Sequence, residues 1–165
     1  SMSFDNIEDR FEYVRHGSDW NVLKHNLAIV KDLMTNQGHW GGIHAVYNIY
    51  SATRICELRQ FAEDTKTTVL WQNLFQPDYL DPFLHGPVVA EAAAKEIEKF
   101  YAMGIATPAE RQFFDNAFSN YTNVKESKPG ISKQFSKHID DIEHKYHPDK
   151  AGEFKRLWPE FTTLC

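Results

Sequence analysis

Residues 43–74 (IHAVYNIYSATRICELRQFAEDTKTTVLWQNL) constrain the fold most strongly. They read strand, helix, strand. Residues 43–50 are rich in β-branched and aromatic side chains: Ile43, Val46, Tyr47, Ile49 and Tyr50. After Ser51, Ile55, Leu58, Phe61 and Ala62 recur at helical spacing, and residues 67–74 return to strand-like composition. Two strands joined by a crossover helix run parallel. Parallel strands need cover on both faces, so the remaining elements are expected to be mostly helices. The expected fold class is α/β: a short parallel sheet of two or three strands packed by helices, with an all-α carboxyl-terminal segment.

The chain of 165 residues is read as one domain over 3–165, with Ser1-Met2 taken as a tag scar and start residue. A chain of this size buries roughly 70% of its unfolded surface. Twelve Phe, seven Tyr and four Trp argue for a packed core rather than disorder. The formal charge is −5 and no Lys/Arg cluster stands out, so no nucleic-acid surface is expected. No apolar run approaches the roughly 18 residues of a membrane span, and no signal peptide is visible. The two cysteines, Cys56 and Cys165, exclude a disulfide framework, a zinc ribbon and a self-contained iron–sulfur site. A buried, reduced Cys56 and a cytoplasmic location are expected.

Taken in order, residues 3–5 read as the end of a strand and residues 6–16 as a short helix closed by Gly17. Asp19 is the expected N-cap of a helix striped by Trp20, Leu23, Leu27, Val30, Leu33 and Met34. Pro77, Pro82 and Pro87 rule out a central strand after Leu74. Pro87 then suits the first position of a helix lined by Val88, Val89, Ala92, Ala93, Ile97, Phe100 and Tyr101. Thr107-Pro108-Ala109-Glu110 is a capping box. A further helix opens at Ser132, and Asp149 is the expected cap of a last short one. The composition shifts at about Pro87, from βα repeats over 3–86 to a helical segment over 87–165.

Ser3, Asp5, Arg15, Asn48 and Gln72 are the candidate site residues. Polar side chains at the ends of three parallel strands would gather at one edge, where such sheets place ligands. Eight histidines also invite a metal reading. His39 and His44 lie near the start of the middle strand. His138, His144 and His147 lie near Asp140, Asp141 and Glu143, but without standard ligand spacing. His85 reads as a surface or supporting residue. No GxSxG, GxGxxG or phosphate loop occurs.

Several segments together resemble radical SAM proteins with a twitch-type carboxyl-terminal region. Ser3-Phe4-Asp5-Asn6, Glu12-Tyr13-Val14-Arg15 and Trp20 are similar to the family's S-[IL]-D-G, E-Y-x-R and Trp pattern after the fourth barrel strand. Asn6 stands where Gly is usual. HAVYNIYSATRICELRQF resembles the fifth strand and helix, VLWQNLFQPDYLDPFLHGP the sixth strand and its loop, and FKRLWPEFTTL the closing segment. The resemblance implies half of a partial TIM-like barrel, strands four to six plus a helical tail. It implies that Ser3 and Arg15 contact the carboxylate of S-adenosylmethionine, and Asn48 its amino-acid or ribose part. The family's CxxxCxxC motif is absent from this sequence. A [4Fe–4S] cluster would therefore have to come from a missing amino-terminal half, and the chain alone is not expected to be catalytic.

Three functional expectations follow. The first is the S-adenosylmethionine- and substrate-supporting portion of a radical SAM enzyme, of bacterial or phage type. The second is a non-enzymatic protein-interaction module on the same scaffold. The third is a metal-dependent enzyme using His138, His144 and nearby acids. An uncovered first strand further leads to the expectation of a homo-oligomer or a partner chain.

Overall fold

The computed structural model describes residues 1–38 and 41–165; His39 and Trp40 lie outside the described residues. The chain divides into two compact units, Ser1–Asn73 and Leu74–Cys165.

The first unit runs β1 (Met2–Ser3), α1 (Glu8–Val14), α2 (Trp20–Asn36), β2 (Gly42–Tyr47), α3 (Ile55–Asp64) and β3 (Thr68–Asn73). The strands form one open, wholly parallel sheet in the order β1-β2-β3. Ile43 is registered on Met2 and Val69, His44 on Ser3 and Leu70, and Val46 on Gln72. The α/β reading of the sequence therefore holds, including the strand end at Ser3.

Side chains alternate across a strand, so the two faces of this sheet differ. Ile43, Ala45, Tyr47 and Trp71 share the buried face. There Phe4 packs edge-on against Phe11 of α1, Trp20 of α2 and Phe61 of α3, with ring centroids 6.0–6.2 Å apart. The other face carries Ser3, His44, Val46, Leu70 and Gln72. On it Leu70 is 54% exposed.

Local chemistry explains the boundaries. The Asp19 carboxylate accepts from the N–H groups of Asn21 (2.7 Å) and Val22 (3.0 Å), the expected N-cap of α2. The stripe expected along α2 is only partly buried, however. Trp20 and Leu27 are its buried residues, and Leu33 is 55% exposed. The middle strand also ends earlier than the expected residue 50. The Asn48 Oδ1 accepts from Tyr50 N–H (2.9 Å) and Ser51 N–H (3.3 Å), and the Ser51 hydroxyl accepts from Asn48 N–H (2.9 Å). These side chains take over backbone groups that a longer strand would have paired.

The second unit contains α4 (Pro87–Ala102), α5 (Pro108–Thr122), α6 (Ile131–Tyr146) and α7 (Glu153–Leu157). Before them the proline-rich residues form two short 3-10 turns, Asp78–Leu80 and Pro82–Leu84. This stretch is tied to the helical unit. Lys128 N–H donates to the Leu84 carbonyl (2.9 Å), and the Lys128 ammonium pairs with Asp78 (2.5 Å). The compact units accordingly divide at Asn73/Leu74, ahead of the shift in composition at Pro87.

Pro87 occupies the first turn of α4, and Thr107 with Glu110 forms both halves of the capping box of α5. Val88 is exposed, whereas Val89, Ala93, Ile97 and Phe100 form the buried stripe of α4. Asp149 does not cap α7. Gly152, at φ +81°, precedes that helix, and the Glu143 carboxylate of α6 accepts from the N–H groups of Gly152 and Phe154, both at 2.7 Å. The unit's core includes Phe100 against Phe114 and Phe154 between Phe135 and Trp158. Among the described residues, no helix is long and apolar enough to cross a membrane.

Candidate functional site

The carboxyl end of β1 and β2 brings four of the five sequence candidates together. Ser3 sits at the last register pair, opposite His44. Arg15 arrives from the carboxyl end of α1, and its guanidinium donates to the Ser3 hydroxyl at 3.4 Å. The α1 helix is short because Arg15 leaves helical geometry at φ −116°, ψ 67°. Arg15 and Ser3 are both exposed.

Asp5 lies two residues further along and is buried. Its Oδ1 accepts from Val46 N–H at 2.7 Å. Burial raises its carboxyl above the ordinary 3.8. The Val46 N–H, the positive charge of Arg15, a hydrogen bond from the Asn48 side chain and His44 pull in the opposite direction. Asn48 thus joins the turn after β2 to the Asp5 carboxylate. Gln72 stands apart. It is registered on Val46 and lies on β3, so a whole strand separates it from Asp5, about 10 Å at the usual strand spacing.

Two neighbours extend the site beyond the sequence candidates. His44 shares the open face with Ser3 and is half-buried. The alternation Ile43-His44-Ala45-Val46-Tyr47 carried that signal, because burying one set turns the other outward. Asn6 is 2% exposed, and neither its Oδ1 nor its Nδ2 has a hydrogen-bond partner among the described residues.

The arrangement offers a guanidinium and a hydroxyl beside a carboxylate. A planar guanidinium suits carboxylate ligands, and a neighbouring carboxylate suits an ammonium. Together they match the zwitterionic end of an α-amino acid.

The histidine-rich end of the chain is organised differently. The His138 ring packs on Tyr79 at 4.8 Å, Asp141 pairs with Lys137 at 2.6 Å, Glu143 caps α7, and His144 is exposed. Among the described residues, no group of three or more His, Cys, Asp and Glu side chains gathers where it could hold a metal ion. His85 is buried rather than at the surface, with Nε2 2.8 Å from the Tyr79 carbonyl. Cys56 is half-buried rather than buried.

The chain matches no protein-family model, no curated protein and no solved structure.

Proposed function

We propose that the carboxyl edge of β1 and β2 holds the amino-acid end of S-adenosylmethionine, and that the chain is the supporting portion of a radical SAM system. The observation that carries this reading is the Arg15 guanidinium on the Ser3 hydroxyl beside the Asp5 carboxylate. Arg15 and Ser3 take the ligand carboxylate, and Asp5, held by the Asn48 amide, faces its ammonium. S-adenosylmethionine, once bound to a reduced iron–sulfur cluster, would supply the radical chemistry. The residues of this chain place it. Its two cysteines do not provide the cluster, which a partner or a further segment would contribute.

Calorimetric titration with S-adenosylmethionine tests the reading. Saturable binding is expected, weakened at least about tenfold in Arg15→Ala, and methionine should compete where adenosine does not. Binding that is indifferent to Arg15→Ala, or no saturation by about 10 mM, overturns it.

A second reading, a protein-interaction module, is supported by the exposure of Leu70 on the open sheet face and of Val22, Ile29 and Leu33 along α2. Light scattering distinguishes the two. A dimer lost in Leu70→Lys or Leu33→Lys favours the module, and a monomer at all concentrations removes it.

A further inference from the structure

The far end of the same sheet carries a second concavity. A cavity of about 440 Å3 lies between α2 and the last turn of α3, beside the amino end of β3. Lys24, Leu27, Ala28 and Lys31 face it from α2 at the i, i+3, i+4, i+7 spacing of one helix face. Phe61 and residues 64–67 complete it. Its volume falls in the range of small-molecule sites, roughly 300–1,000 Å3.

Floor and rim differ in chemistry. Leu27, Ala28 and Phe61 are its apolar side chains, and the Phe61 ring lies 5.0 Å from Trp20 and 6.2 Å from Phe4. A flat ring laid on Phe61 would add one more member to that aromatic cluster. The rim holds three lysines, Lys24, Lys31 and Lys66, against two aspartates, Asp32 and Asp64. Lys31 is tethered, since its ammonium donates to the Thr65 carbonyl at 2.7 Å. The Lys24 ammonium lies 5.9 Å from the centre of the Trp20 ring. One positive charge is left in excess. A single carboxylate complements it, whereas a dianion meets the two aspartates and an amine meets the lysines.

We propose that this cavity binds a small aromatic monocarboxylate, with the ring on Phe61 and Leu27 and the carboxylate toward Lys24 and Lys66. The site is separate from the Ser3–Arg15 edge, and the inference does not depend on the reading of that edge.

Amide chemical-shift mapping of the full chain with phenylacetate tests it. Shifts should saturate and be confined to residues 24–32 and 61–67. Affinity should fall about tenfold in Lys66→Gln and in Lys24→Gln, the size expected for one charged contact. Ala28→Trp, at an exposed helical position, should fill the cavity and abolish the shifts while leaving the circular dichroism unchanged. The proposal is overturned by shifts that map elsewhere or do not saturate by about 10 mM. It is also overturned if benzylamine or phenyl phosphate binds as well as phenylacetate, or if Ala28→Trp, still folded, retains full affinity.

Discussion

The Asp5 carboxylate accepts the Val46 N–H at 2.7 Å, two residues beyond the last register pair of β1 and β2. A side chain thus continues the pairing of a two-residue strand. Asp5→Ala leaves that N–H without its acceptor and should cost about 1–3 kcal/mol in urea unfolding. Asp5→Asn keeps an oxygen in place and removes the titration. Burial raises the folded carboxyl above 3.8. The folded state therefore holds its proton more tightly than the unfolded chain. That stability is fully present below pH 3.8 and is lost as pH rises through the raised value. The stability of Asp5→Asn relative to the native protein should grow across that interval and then level off. A constant difference at every pH would refute this.

Asn6 should be improvable. Its buried amide has no partner for either atom among the described residues. Such a group costs about 1–3 kcal/mol, and an apolar side chain of similar size carries no such penalty. Asn6→Leu should raise the unfolding midpoint without changing the denaturant slope. A lower midpoint would mean that the amide is satisfied in solution.

Glu143 holds the start of α7 from a different helix, through Gly152 N–H and Phe154 N–H. Glu143→Ala frees both donors and should cost about 1–3 kcal/mol. Amide exchange at Gly152 and Phe154 should speed up before that of the α5 core. Equal protection in the variant would rule out the clamp.

His85 should make the second unit sensitive to acid. Its Nε2 faces the Tyr79 carbonyl, so that nitrogen carries the proton, and the buried Nδ1 has no hydrogen-bond partner among the described residues. Burial depresses the imidazole below the ordinary 6.5. Its contribution is present above pH 6.5 and is lost as pH falls through the depressed value. His85→Gln keeps a donor for Tyr79 and should flatten the loss of stability below pH 6.5. An unchanged acid limb in that variant would place the sensitivity elsewhere.

What was legible in the sequence was mostly local or topological. Asp19, Pro87 and the Thr107–Glu110 box act within one helical turn, and all three stand where their spacing puts them. The parallel order followed from the crossover at residues 55–64. The same logic put all five candidates at one edge, Gln72 at the end of the third strand; Ser3, Asp5, Arg15 and Asn48 do gather there, while the width of a strand keeps Gln72 apart. Capping from a distance was illegible. Asp149 looked like the cap of α7, while the carboxylate that serves it lies on α6 at Glu143. The α2 stripe was legible as a period, but a period does not say which apolar residues find cover. Leu27 does, and Leu33 does not.

That uneven cover sets how α2 moves. Two of its seventeen residues are buried, and both lie at or before Leu27. Beyond that point Val30, Lys31 and Met34 are only half-buried, and the Lys31 ammonium is tethered to Thr65. A helix segment with little tertiary cover opens at a small fraction of the global free energy. Residues 28–36 should therefore exchange their amides through local fraying, at rates insensitive to mutations that destabilise the whole unit, while the turn around Trp20 exchanges only on global unfolding. The first unit then has a rigid end and a yielding end, and a molecule seated between α2 and α3 would register first as slower exchange in the yielding one.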